Sequence, residues 1–204
     1  AMLYMATGRL AYVVFGGALF GAGALASWSV FSHVQTRVSI WLDPFADAQG
    51  SGFQLVQSLF AFGTGGVAGV GWGQGNPELI PDVETDFIFS AIGEELGLLG
   101  TTAVLLLYFL LAGRGFVTAL RAPDDFSKLL AAGLTFVFSL QVFVIVGGVS
   151  RLIPLTGITL PLVSYGGSSL LANYVLIALL VRVSAARAPV ARRSARADLA
   201  RIDG

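Results

Sequence analysis

Apolar residues in this chain neither alternate nor recur at a helical period; they gather into four nearly continuous blocks. The blocks cover approximately residues 10–30, 88–112, 128–149 and 160–183. Each reaches the ~20 residues a helix needs to cross a bilayer. The last is awkward, because the 16 residues from Ser168 to Val183 span only about 24 Å as helix. Residues 160–168, marked by Pro161, Gly166 and Gly167, must therefore enter the membrane themselves or kink at its edge, where protein or water satisfies their backbone. Between the first two blocks, segment 31–87 behaves differently. RVSIWLDPFADAQGSG carries Pro and Gly punctuation and reads as loop. FQLVQSLFAFG sets Gln54, Gln57, Ser58 and Ala61 at helical spacing, which predicts a short helix lying on or dipping into the membrane surface. GTGGVAGVGWGQG holds seven glycines in thirteen residues. No strand precedes it and no Gly-Lys-Ser/Thr follows, so a nucleotide cradle is disfavoured. Close packing of a non-helical segment against protein fits better, with a lipid pyrophosphate as the minority case.

Composition turns four helices into four spans. Of 204 residues 55% are hydrophobic and 12% charged, about half the charge of a soluble domain. Four core helices of a soluble protein would leave no polar face for water. The fold class is therefore an all-α integral membrane protein, with about four transmembrane helices and a long extracytoplasmic loop holding short helical or re-entrant segments. Ten of the twelve Lys and Arg residues flank the helices on one side, and only Arg37 and Arg151 lie on the other. That split places both termini and loop 113–127 in the cytoplasm, and 31–87 and 150–159 outside. Asp124 and Asp125 read as solvated capping residues of the inner loop. The basic tail 184–204 reads as a solvated, lipid-facing end, and nucleic-acid binding is not indicated. Cysteine is absent and His33 is the single histidine, which removes thiolate and zinc chemistry; no organic cofactor is implied. The opening AMLYMATGRL predicts the trailing part of a longer membrane protein.

Five of the twelve acidic residues fall in PDVETDFIFSAIGEELG, residues 81–97. With 86–100 as helix at 100° per residue, Gly93, Gly97 and Gly100 lie within about 40° of Asp86. Asp86 then heads a strip of small residues of the kind that lets membrane helices touch, facing the bundle interior at its outer rim. Glu94 sits deeper on a flanking face and Glu95 on the opposite one. Both suit either structural pairing or a proton path. Ser169 and Asn173, four apart, with Ser164, Tyr165 and Ser168 above them, give the last helix a matching polar face; with Gln141 they suit interhelical hydrogen bonding equally well.

Three strings in order, RVSIWLDPFADAQGSGFQLVQSLFAFGTGGVAGVGWGQG, PDVETDFIFSAIGEELG and LIPLTGITLPLVSYGGSSLLANY, resemble the SEDS family (shape, elongation, division and sporulation) of RodA and FtsW. The resemblance covers nearly the whole chain except the basic tail and corresponds to about four of the family's ten helices, with VIVGGVSRLIPLTGITLP leaning towards the RodA-like branch. It implies a multi-pass protein of the bacterial cytoplasmic membrane that polymerises lipid II, the undecaprenyl-pyrophosphate-linked disaccharide peptide, on the extracytoplasmic side, beside a class B penicillin-binding transpeptidase. The family's essential aspartate lies in a Thr-Asp-Phe motif, here Thr85-Asp86-Phe87, the residue the helix geometry also selected. The family commonly carries His before the Thr, where this chain has Glu84. A single carboxylate base suffices, because the leaving pyrophosphate is stable as an anion, whereas glycosidases need a carboxyl pair. Charge on that pyrophosphate could be met by Arg37, by Arg151, by glycine-loop amides or by a divalent cation (Mg or Mn). Candidate substrate-binding residues are Glu84, Thr85, Arg37, Gln54, Gln57, Arg151, Ser164, Ser168 and Ser169. Two rival readings are a lipid-linked-sugar flippase using Glu94, Glu95 and Asn173, and a non-catalytic scaffold for the transpeptidase.

Overall fold

The computed structural model describes residue 4 and residues 7–186, and among them every regular element is helical. The elements are α1 (Ala11–Val30), α2 (Ser32–Leu42), α3 (Phe53–Gly65), α4 (Ile88–Leu120), α5 (Asp125–Val149) and α6 (Gly167–Ala185), with single 3-10 turns at Pro44–Asp47 and Pro77–Leu79. Four of them, α1, α4, α5 and α6, are long and apolar enough to cross a membrane. Residues 187–204, most of the predicted basic tail, lie outside the described residues.

Several boundaries differ from those read in the sequence. The second span runs on to Leu120, because GRGFVTAL keeps helical geometry and leaves Arg114 exposed at the bundle's edge. The inner connection shrinks to four residues and closes on Asp124, whose carboxylate accepts from Ser127 N at 2.7 Å and Ser127 Oγ at 3.0 Å as the N-cap of α5. The last helix starts at Gly167, not near Pro161. Residues 157–166 form non-helical chain packed into the bundle. Leu160, Pro161 and Ser164 are buried there, Tyr108 Oη donates to the Pro161 carbonyl at 2.6 Å, and Gln141 Nε2 donates to the Thr159 carbonyl at 3.0 Å. Residues 37–42 of the segment read as loop belong to the helix α2. The short helix forms as α3 and buries Leu55, Val56, Ser58 and Ala61, packing chiefly against α4.

The core sits where α4 and α5 pack together, flanked by α3 and α6. Phe87, Phe138, Val149 and Leu160 are the largest of its fully enclosed side chains. A hydroxyl pair joins three helices at its centre. Ser58 Oγ and Ser90 Oγ are 2.7 Å apart, and Ser58 Oγ also donates to the Val149 carbonyl at 3.1 Å. Leu106, Phe109, Leu110, Val137 and Phe143 point outward and are exposed. In hydrocarbon such an outer surface costs nothing, so helix association rests on packing and internal polar contacts.

The strip of small residues does its work by a different geometry from the one predicted. The helix begins after Asp86 and is interrupted at Gly97 (φ +63°, ψ −161°). The chain leaving α3 inserts into that break. Val70 N and Gly71 N donate to the carbonyls of Glu94 and Glu95, each at 3.0 Å, while Leu98 N and Leu99 N donate to the carbonyls of Gly66 and Val67 at 2.9 and 3.1 Å. Backbones approach this closely because neither side carries a Cβ: one placed on Gly97 would stand 2.3 Å from Gly69 N. The glycine-rich loop is thus a backbone plug that replaces the missing helical hydrogen bonds of α4.

Candidate active site

Asp86 ends a tight turn that three parts of the chain hold in place. Asp82 takes φ +56°, and its carbonyl accepts from Thr85 N and Thr85 Oγ1, both at 3.1 Å, and from Asp86 N at 3.0 Å. Gln54 Nε2 on α3 donates to the Asp82 carboxylate at 3.1 Å. Tyr165 N donates to the Glu84 carbonyl at 2.8 Å, tying the turn to the chain before α6. Phe87, fully buried, anchors the next residue in the core. Asp86 itself is half-buried, and among the described residues its carboxylate has no hydrogen-bond or ion-pair partner. With its backbone held by the turn and its carboxylate left unpaired, Asp86 is available to an incoming group.

Across from it stands Arg37, on α2. Arg37 Nη1 donates to the Leu155 carbonyl at 2.9 Å, which fixes the guanidinium beside loop 150–157. Gly157 lies between the two charges. A Cβ built on it would meet Asp86 Oδ2 at 3.2 Å, Arg37 Nη2 at 3.7 Å and Arg37 Nη1 at 3.9 Å, yet Asp86 and Arg37 form no ion pair. Arg37 also lines, with Gln54, Trp41 and Leu155, a cleft of about 140 Å³. That is well below the ~300 Å³ of an ordinary small-molecule pocket, so it accommodates part of a ligand.

The other sequence candidates divide between this site and the scaffold. Arg151, at φ +62°, donates from Nε to the Trp41 carbonyl at 2.9 Å and from Nη2 to the Leu42 carbonyl, while Trp41 Nε1 returns a bond to the Arg151 carbonyl at 3.1 Å. It caps the C-terminus of α2, a task a cation suits well. Ser164 is buried with its hydroxyl accepting from Leu160 N at 2.8 Å, which closes a turn. Thr159 Oγ1 donates to Ser169 Oγ at 2.6 Å, and Asn173 Nδ2 donates to the Ser169 carbonyl at 2.9 Å. Thr85 spends its hydroxyl on the Asp82 carbonyl, Glu84 and Ser168 are exposed, and Gln57 is half-buried on α3. Glu94 is buried and accepts from Asn76 N at 3.2 Å, so it braces the glycine-rich segment. The loop amides Gly69 N, Val70 N and Gly71 N are committed to backbone carbonyls. Sequence reasoning missed Gly157, whose only signal was a Thr-Gly pair between two apolar stretches.

Two further features bear on chemistry. No group of three or more His, Cys, Asp or Glu able to hold a metal occurs among the described residues. A groove of about 590 Å³ lies between α4 and α5 and is walled mainly by apolar side chains such as Phe109, Phe116, Val142 and Phe143; its hydroxyls, Tyr108 and Ser139, are spent on the carbonyls of Pro161 and Thr135.

Residues 1–188 match the cell cycle protein family FtsW/RodA/SpoVE. The peptidoglycan glycosyltransferase RodA of Mycobacterium tuberculosis (strain ATCC 25618 / H37Rv) is 55% identical over 193 residues, covering 94% of this chain and 41% of that protein. Stage V sporulation protein E of Bacillus subtilis is 41% identical over 185 residues, 90% of this chain and 50% of that one. A solved chain described under structural coordination of polymerization and crosslinking by a peptidoglycan synthase complex superposes with TM-score 0.72 at 30% identity, over 92% of this chain and 53% of that one. The chain thus spans about half the length of the relatives it matches.

Proposed function

From the premise that the chain belongs to the FtsW/RodA/SpoVE family of multi-pass membrane proteins, we propose that it forms the C-terminal part of a peptidoglycan glycosyltransferase, RodA-like, that polymerises lipid II at the extracytoplasmic face. Asp86 is its general base. The observation that carries this reading is the unpaired carboxylate of half-buried Asp86, whose turn is held by α3, by its own hydrogen bonds and by the chain before α6.

The chemistry follows from that placement. The 4-hydroxyl of one lipid II attacks the anomeric carbon of a glycan chain carried on undecaprenyl pyrophosphate. The O–H proton passes to the Asp86 carboxylate as the new C–O bond forms. The bond to pyrophosphate breaks with its electron pair on the leaving group, which departs as an anion, and the proton then passes to solvent. A positioned base of this kind typically contributes 10²–10⁴-fold.

Among the described residues no group of three or more His, Cys, Asp or Glu is gathered to hold a metal; a Mg or Mn ion would here be held by one or two carboxylates together with the substrate's own pyrophosphate oxygens, whose charge it would neutralise. With Arg151 capping α2 and the amides of Val70 and Gly71 bonded to α4, Arg37 is a cation left beside Asp86. A transpeptidase of the penicillin-binding class is the partner this reading implies; the solved chain this one resembles is described as part of a peptidoglycan synthase complex that coordinates polymerization and crosslinking. The loop carrying Asp86 lies outside because ten Lys and Arg residues flank the opposite ends of the helices.

Comparing Asp86→Asn with Glu94→Gln in the full-length protein tests the reading. Loss of polymerisation in the first and its survival in the second support it. The reverse order is what a flippase with a polar path through Glu94 predicts.

A further inference from the structure

The position a side chain on Gly157 would fill has an unusual pair of neighbours. A carboxylate oxygen, Asp86 Oδ2, lies 3.2 Å away, and guanidinium nitrogens of Arg37 lie 3.7 and 3.9 Å away. Arg37 is held by the Leu155 carbonyl and the backbone of Asp86 by its turn, and the two charges stand near each other without closing into an ion pair. A phosphate oxygen in that space would be repelled by the carboxylate, and a metal cation by the guanidinium. A neutral hydroxyl satisfies both, accepting from Arg37 and donating to Asp86.

We infer that this gap is the slot for the attacking hydroxyl of the acceptor sugar and that Gly157 is the positioning residue that keeps it open. The inference rests on the reading of Asp86 as base and refines it: it moves Arg37 from the pyrophosphate to the nucleophile. A hydroxyl that accepts from a guanidinium is already polarised towards the alkoxide. When its proton goes to Asp86, the negative charge developing on oxygen stays beside Arg37, the bond to the anomeric carbon forms, and the pyrophosphate leaves with its electron pair. Gly157 suits the position twice over. Its φ of +64° disfavours a Cβ on conformational grounds, and the Cβ would occupy the slot.

The test uses the full-length enzyme and reads binding separately from turnover. Binding of lipid II is compared with that of an analogue whose acceptor 4-hydroxyl is replaced by hydrogen. The wild type is expected to prefer the hydroxylated form by roughly tenfold or more, the effect of a charge-assisted hydrogen bond. Gly157→Ala and Gly157→Asn should lose that preference and at least tenfold of the polymerisation rate. Asn is included because it tolerates a left-handed backbone better than Ala, so a purely conformational role for Gly157 predicts that Asn largely restores activity. Equal binding of the two ligands by the wild type overturns the slot whatever the variants do, as does a Gly157→Asn enzyme of wild-type rate. Asp86→Asn run alongside separates the two claims. If it is inactive while Gly157→Asn is active, the base stands and the slot falls. If Asp86→Asn polymerises normally, the base falls and the slot's catalytic role falls with it.

Discussion

Replacing Gly97 with alanine strikes the joint on which the site's scaffold depends. The residue sits at φ +63°, ψ −161°, a backbone region essentially reserved for glycine, where an L side chain costs at least about 1–2 kcal/mol. Its new methyl would stand 2.3 Å from Gly69 N and 2.6 Å from the Val67 carbonyl oxygen, both backbone atoms that no rotamer change can move aside. The plug must back away, loosening four hydrogen bonds between residues 66–71 and α4. If two are lost at about 1 kcal/mol each, the total reaches about 3–4 kcal/mol, near the upper end for single substitutions. For a unit of this size that corresponds to a fall of about 6–16 °C in apparent melting temperature, measurable on the detergent-solubilised full-length protein by fluorescence-detected size exclusion after heating. Gly113→Ala is the control: it lies in the helix with nothing within 4 Å of the added Cβ, and it should be neutral or raise stability by about 0.4–1 kcal/mol. A Gly97→Ala protein that melts within 2 °C of wild type would show that the insertion is not what stabilises α4.

Ser58→Ala should destabilise by about 1–3 kcal/mol, Ser90→Ala by less because Ser58 keeps its bond to the Val149 carbonyl, and the double variant by less than the two together; strictly additive melting shifts would contradict a shared hydroxyl pair. Arg151→Gln frees the carbonyls of Trp41 and Leu42, so limited proteolysis in α2 should accelerate while polymerisation stays within about threefold of wild type. A large loss of rate with α2 intact would return Arg151 to the substrate. Because the chain has no cysteine, Ala48→Cys and Ala197→Cys report topology cleanly: an impermeant thiol reagent on intact cells should label the first and spare the second, and the opposite pattern would overturn the orientation.

The sequence made the spans legible because a bilayer crossing demands length and apolarity, both of which can be read locally in α1, α4 and α5. It concealed α2, since Pro44, Gly50 and Gly52 lie after that helix and Arg151, over a hundred residues away, caps it. The break at Gly97 was equally hidden: glycines at helical spacing look like a packing strip, and only the complementary glycines at 66, 69 and 71 show that a second backbone fills the gap. Asp86 stood out as a carboxylate at the mouth of an apolar helix within a recognisable motif. The roles of Arg37 and Arg151 were indistinguishable at that level, because a cation near a site can serve a carbonyl or a substrate. Only the fold shows one aimed at helix-terminal carbonyls and the other facing the aspartate.

The central claim is that Asp86 takes the proton of the attacking hydroxyl. Its most direct measurement is the initial rate of glycan formation from purified lipid II by the full-length Asp86→Asn enzyme with its transpeptidase partner bound. Asn preserves shape and hydrogen bonding and removes only the base, so insertion, melting temperature and partner binding should match wild type while the rate falls by ~10²–10⁴-fold. An Asp86→Asn enzyme that builds long strands at near wild-type rate would contradict the account.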